Sequence, residues 1–422
     1  MLTTLDGTPY ETGLTMGKAA GAVMRRRVRV FHKKRKSMKV TDAEIRARVK
    51  DFTRRTRKVA RHWLDEAKGL ADGARVDVDD ILILNCPPPG AHISTLHSCT
   101  SFLRIGRREN VLLKIRDERH NVQSFAIVAP RRRTRFHAAR DIGNLGVAHA
   151  FNQWGVAAAC DTGSATDRVS DEPRFNDCHL LRMVAEKARS VDEIPALFKL
   201  LIDADVVGGA GPGRGAIFLF VDPSRGMLLE CESRDFATKF VDRGPLSVAN
   251  HFVIPEATKW ASSPPGANTL VRRARMAERG KRAGSSPDPL EVFDISRDRK
   301  TRPNTLCNVA WQRDSLTVSA QVQVVDRSDP SRSVNYVCCG NTRNSVYLPV
   351  PIDARSTFLP LMNGRFYAAT DALLRVHGSA PHLRSVQRRF ERRVVNGLDY
   401  RAACREGYAL LRRAAAEARA RG

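Results

Sequence analysis

The sequence has no Cys-x-x-Cys pair, no run approaching about 18 apolar residues, and no charged start followed by an apolar core. The first absence argues against a zinc site. The other two set the expectation of a cytoplasmic protein that neither crosses nor enters a membrane. Its nine cysteines (86, 99, 160, 178, 231, 307, 338, 339 and 404) are odd in number and scattered through 422 residues. That pattern fits reduced thiols better than a disulfide framework. The phosphate-loop ending Gly-Lys-Ser/Thr is also missing, so Gly208–Gly215 reads as a loop over a pocket and not as a nucleotide cradle. Nothing in the sequence calls for a metal or a cofactor.

Acidic side chains are in short supply, 45 against 71 Lys and Arg, for a net charge of +26. Residues 1–62 hold 18 basic and 5 acidic groups, half of the excess. Such a field attracts anions. No RNA-recognition signature or aromatic stacking stripe accompanies it, which leaves nucleic acid a minor reading. Hydrophobic content of 42% supplies a sizeable core.

Apolar positions recur at helical spacing from Thr41 to Leu70, predicting one long helix, and Asp77 opens a short one that ends in Ile81–Leu84. After residue 98 the texture changes to short apolar runs between turns: 101–105, 111–115, 124–128, 146–150 and 155–159. A helix follows over 176–203. Strands are expected again at 216–221, 227–232, 237–241, 246–248, 306–311, 316–325 and 334–339, with helices over 267–283, 288–296 and beyond 356. The order of helices, strands, helix, strands and helices predicts a layered α+β protein. His179 and Arg182 read as surface or inter-layer groups, and Cys338-Cys339 as structural.

Cys99 opens a strand directly after a loop, where a thiol can reach the end of a sheet. An isolated intracellular cysteine is more often a small buried hydrophobe. Its neighbours raise the stakes. Gly7-x-Pro-Tyr-Glu11-x-Gly13, the stretch Glu66–Asn85, Cys99-Thr100-Ser101-Phe102, Asn152-Gln-Trp-Gly155-Val156 and Asn250-His251-Phe252 occur in that order. Together they resemble the peptidase C45 family, which includes isopenicillin N acyltransferase. The resemblance spans roughly residues 5–350.

The resemblance implies an N-terminal-nucleophile αββα four-layer sandwich with extra N- and C-terminal helices. It divides the chain into a helical segment 1–98, a nucleophile-bearing core 99–350 and a basic helical extension 351–422. It further implies an autoproteolytic amidohydrolase or acyltransferase cut between Ser98 and Cys99, acting on a linear amide of a small molecule through a Cys99 thioester. The freed α-amine, with a reference pKa of about 7.7–8.0, then serves as base for its own thiol. Asn250 is implied as the oxyanion donor and Asp117 as a partner of the amine, with Asn152 and Thr100 lining the substrate pocket. The alternative for Asp117 is a surface pair with Arg116 or Arg119. Three departures stand out. Ser98 replaces the usual glycine, Ile115-Arg116-Asp117 replaces Asn-Trp-Asp, and Thr305-Leu306-Cys307-Asn308 lacks an arginine expected near the site. A decayed member acting as a basic binding protein is the competing expectation.

Overall fold

The computed structural model describes residues 1–89, 98–118, 122–284, 288–301, 303–309, 315–377 and 383–421. The chain opens with β1 (Leu2–Thr4) and the helices α1 (Pro9–Ser37), α2 (Asp42–Val59), α3 (His62–Ala74) and α4 (Val78–Asn85). Strands β2 (Thr100–Ile105), β3 (Glu109–Glu118), β4 (Gln123–Val128), β5 (Phe136–Asp141), β6 (His149–Asn152) and β7 (Ala157–Ala165) follow, then α5 (Asp177–Lys187) and α6 (Ile194–Asp203). Next come β8 (Arg214–Val221), β9 (Gly226–Cys231), β10 (Phe236–Val241) and β11 (Gly244–Val248), then α7 (Pro255–Thr258), α8 (Ala267–Arg282) and α9 (Pro289–Ile295). The chain closes with β12 (Leu316–Asp326), β13 (Val334–Cys339), β14 (Leu348–Pro351), β15 (Ser356–Phe358), α10 (Leu359–Met362), α11 (Arg365–His377), α12 (Leu383–Val395) and α13 (Tyr400–Arg421).

Two antiparallel sheets result, a seven-stranded β10-β9-β8-β7-β6-β5-β4 and a six-stranded β11-β2-β3-β12-β13-β14. They pack face to face, with Leu103, Ile105 and Leu112 of one against Phe151, Ala159, Ile217 and Leu219 of the other. Helices α1–α6 cover the outer face of the seven-stranded sheet. Helices α8, α9 and α11–α13 cover that of the six-stranded sheet. This is the α+β four-layer sandwich the sequence predicts. β1 pairs with β15, tying the first helical segment to the last.

The long helix expected over 41–70 is two helices. Ala60 leaves helical geometry at φ −146°, ψ 44°, and α3 turns to lie against α1. The two backbones nearly touch, since a Cβ on Gly69 would meet the Tyr10 carbonyl oxygen at 2.0 Å. The helix expected over 176–203 also breaks, because Ala188 is extended and Pro195 sits in the first turn of α6, where a missing N–H does no harm. Leu306–Val309 form no strand, and the rest of that expected strand lies outside the described residues. His179 and Arg182 are buried between layers. The guanidinium of Arg182 bonds the Glu66 and Glu186 carboxylates and lies 4.7 Å over the Trp63 ring.

One contact sets the height of α8 above β2. A Cβ on Gly280 would fall 2.1 Å from the Phe102 ring, so only glycine lets the helix settle there. Gly280→Ala is expected to destabilise the fold by about 1–3 kcal/mol through overpacking, read as a lower urea midpoint. Phe102→Leu in the same chain should return part of that loss.

Candidate active site

Strand alternation decides what surrounds Cys99. Leu103 and Ile105 of β2 face the other sheet, so Cys99, on the same face, points its thiol into the gap between sheets. Thr100 and Phe102 face α8 instead. Across from them on β3, Lys114 faces the gap and Asp117 faces α8. Thr100 pairs with Ile115 in the ladder, and the Ser98 N–H donates to the Asp117 carbonyl at 3.2 Å, so Cys99 lies at the strand end beside these groups.

In the gap, Lys114 is 1% exposed and its ammonium donates to Asp161 Oδ1 at 2.6 Å and to the Cys160 carbonyl. Burial alone would lower its pKa. The Asp161 carboxylate and the neighbouring Cys99 and Cys160 sulfurs together overcome burial and hold Lys114 above its ordinary value, charged. Burial pushes the Cys99 thiol up to about 12, and the neighbouring Lys114 ammonium works against that rise. The site therefore carries its own fixed cation beside the sulfur.

On the other face, Arg272 of α8 is a buried four-way clamp. Its guanidinium donates to the Cys99 carbonyl at 2.6 Å, to Thr100 Oγ1 at 2.6 Å, to Asn250 Oδ1 at 2.7 Å and to Asn268 Oδ1 at 2.9 Å. Asn250 is positioned from a second side, its amide donating to the Thr162 carbonyl at 2.9 Å. The turn that carries it is stitched down. The Phe252 N–H donates to Ser164 Oγ at 2.9 Å, and the Glu230 carboxylate accepts from Val253 and Ile254. Cβ atoms on Gly163 or Gly215 would strike the Phe252 ring, which crosses β7 and β8 there.

Asp117 is 2% exposed and accepts from Thr317 Oγ1 at 2.5 Å. Burial lifts its carboxyl to about 7, opposed first by the Arg272 guanidinium and then by the Thr317 hydroxyl. It does not pair on the surface with Arg116. Arg116 faces the gap and bonds Asp141 at 2.8 Å, while Arg119 lies outside the described residues. In the fold Asp117 stays protonated to about pH 7, whereas unfolded it ionises near 3.8. Its stabilising contribution is therefore complete below about pH 4 and is lost as pH rises through 7. Asp117→Asn cannot ionise. Its urea stability relative to wild type should improve by up to about 4 kcal/mol between roughly pH 4 and pH 8. Glu230, also raised to about 7 by burial, keeps a parallel slope in both chains.

Two expected site residues take other places. Asn152 ends β6 with its amide spent on the backbone, donating to the Ala188 carbonyl at 2.7 Å and accepting from Trp154 and Val156 at 3.1 Å. It caps the β6–β7 turn, just before Ala157 opens the strand that carries Asp161 mid-length, and its side-chain oxygen and amide are taken up by backbone groups. Thr100 is 1% exposed and holds Arg272, because its side chain points away from the gap. The Gly208–Gly215 loop is tied by backbone bonds to Val169 and Phe175. Ser98 and Cys99 adjoin in sequence residues 90–97, which lie outside the described residues.

Sequence reasoning missed Lys114, Asp161 and Arg272. The first two carried a usable signal, each a charge set in an apolar strand (Val111-Leu-Leu-Lys114-Ile115 and Ala157-Ala-Ala-Cys-Asp161), where burial demands a partner. Arg272 carried none among the arginines of α8.

No family model matches the chain, and no curated protein matches it. Solved structures similar to it include an arginine-to-leucine variant of conjugated bile acid hydrolase from Clostridium perfringens, with 11% identity, 60% of this chain and 92% of that chain covered, and a TM-score of 0.43. A cysteine-to-alanine mutant of the same hydrolase gives 11%, 60%, 92% and 0.39. The N-acylethanolamine-hydrolyzing acid amidase ortholog of Caenorhabditis elegans gives 12%, 55%, 94% and 0.38. Among the described residues no helix is long and apolar enough to cross a membrane, and all nine cysteines are free thiols.

Proposed function

We propose that this chain is a self-processing cysteine N-terminal-nucleophile amidohydrolase or acyltransferase, with Cys99 as nucleophile. One observation carries the reading: Lys114 and Asp117 from β3, Arg272 from α8 and Asn250 from the turn after β11 converge from three separate elements on one strand-opening cysteine.

In the precursor, Cys99 Sγ attacks the Ser98 carbonyl carbon, the peptide nitrogen leaves as the Cys99 amine with the thiol's proton, and water opens the resulting thioester to a Ser98 carboxylate. The amine then stands next to the thiol it deprotonates, near neutral pH. Lys114 holds the thiolate by charge, countering the burial that disfavours it. Arg272 fixes the Cys99 carbonyl so that sulfur and amine keep their geometry. Asn250 has spent one N–H on Thr162, and its second serves the oxyanion of the tetrahedral intermediate. Asp117 accepts from the amine once ionised. The substrate is a small molecule with a linear amide, whose acyl group passes to Cys99 and then to water or an amine.

Intact-mass measurement of the purified protein tests this directly. Fragments of 98 and 324 residues (422 less 98) are expected. A second reading, a decayed enzyme that binds a polyanion, draws on the exposed Arg26, Arg29, Lys33, Lys36, Arg46 and Lys50 of α1 and α2. An uncut chain, unlabelled at Cys99 by thiol reagents and retained on heparin until salt is raised, would replace the first reading with the second.

A further inference from the structure

Cys160, Asp177 and Cys178 meet on the helix-covered side of the seven-stranded sheet, away from the gap that holds the Cys99 thiol. Cys160 Sγ, Cys178 Sγ and an Asp177 carboxylate oxygen all lie within 4.8 Å of one another. Cys160 sits in the core shared with α5, while Asp177 and Cys178 are half-buried and give access from solvent. The meeting is built from three elements. Strand β7 supplies Cys160, the first turn of α5 supplies the other two, and the approach to β6 pins that turn. There the Val147 N–H donates to the Cys178 carbonyl at 2.9 Å, and a Cβ on Gly146 would lie 2.7 Å from the Cys178 carbonyl carbon. Nothing in the Cys99 chemistry uses these groups.

We propose that Cys160, Cys178 and Asp177 form a binding site for one divalent cation of the zinc type. Two sulfurs and one carboxylate oxygen suit a borderline-soft, tetrahedral ion, with water in the fourth position. Ligand bonds of about 2.0–2.3 Å place tetrahedral donors roughly 3.5–3.8 Å apart, so the group closes by about 1 Å through side-chain rotation. Both thiols ionise on binding, and each ion taken up releases two protons. At the buried Cys160, burial first and then the half-buried Cys178 and the Asp177 carboxylate oppose thiolate formation, and a dication removes that opposition. The ion would brace β7 against α5 one residue before Asp161, the partner of Lys114.

Cobalt titration of tag-free, reduced, chelator-stripped protein tests the site. One Co²⁺ per chain is expected, with near-ultraviolet thiolate charge transfer and the visible bands of a tetrahedral ion. Cys178→Ser and, separately, Asp177→Asn should each weaken binding by at least about tenfold, the lower bound for losing even an outer-shell partner. Cys99→Ala should leave the bands in place, which separates this site from any chelation by a freed Cys99 amine and thiol. Absence of stoichiometric Co²⁺ binding, bands that survive Cys178→Ser, or a Cys160–Cys178 disulfide in non-reducing intact mass would each overturn the proposal.

Discussion

Cys99→Ala protein is expected to purify as one uncut 422-residue chain, where wild type is expected to yield fragments of 98 and 324 residues. The substitution removes the only atom that can take the Ser98 acyl group, so processing stops outright instead of slowing. Amide turnover should fall by at least about 10³-fold, since the same sulfur carries the substrate's acyl group. Stability should change little, because the site keeps its scaffold. Cys99 is 4% exposed, and losing one sulfur there removes a small contact while the Lys114–Asp161 pair stays intact. Cys99→Ser divides the effect further. A hydroxyl can make the same ester, but it ionises far less readily beside Lys114, so slow cleavage that rises with pH is the expected result. Efficient processing of the alanine variant would place the scissile chemistry elsewhere.

Arg272 carries the second large effect. Arg272→Met leaves the Cys99 carbonyl, Thr100 Oγ1 and Asn250 Oδ1 without their buried donor. Each orphaned acceptor costs about 1–3 kcal/mol, so a loss of several kcal/mol in urea unfolding is expected. Arg272→Lys separates charge from geometry. An ammonium keeps the positive field but cannot span three acceptors as a planar fork does. This variant should fold, yet process and turn over at least about tenfold more slowly as the Cys99 carbonyl and Asn250 lose register. A diagnostic readout accompanies it. Because Arg272 is the main influence holding Asp117 down against burial, the methionine variant should move the acidic limb of the pH–rate profile upward, whereas the lysine variant should hold it. Wild-type processing and an unmoved profile in both variants would remove Arg272 from the site.

The elements legible in the sequence are those whose signal is local. Short apolar runs between turns mark eleven of the fifteen described strands, all but β1, β5, β14 and β15, and the cysteine that opens β2 is visible as a thiol after a loop. Of the two helix breaks, the one after α5 had a local signal in Pro195, which fits only a first helical turn. The one at Ala60 had none, and the chain turns there because α3 must reach the glycine face of α1. Propensity favours continuing the helix, and packing overrides it.

The candidate site divides along the same line. Cys99, Asp117 and Asn250 were named from residue order and resemblance, and the fold brings all three to one strand end. Asn152 belongs to the same set of motifs, yet its role is set by a turn whose backbone consumes every polar atom it has. The sequence by itself determined the layered α+β class, the strand-opening thiol and the excess of positive charge, because periodicity, residue order and composition are properties of neighbours along the chain. Only the tertiary structure decided that Lys114 rather than a histidine stands beside that thiol, that Asp117 is buried against Thr317 and not paired on the surface, and that a guanidinium reaches the Cys99 carbonyl from α8. Those facts depend on which face each strand turns to the gap and on how closely Gly280 lets a helix approach, and neither is written in any local stretch of sequence.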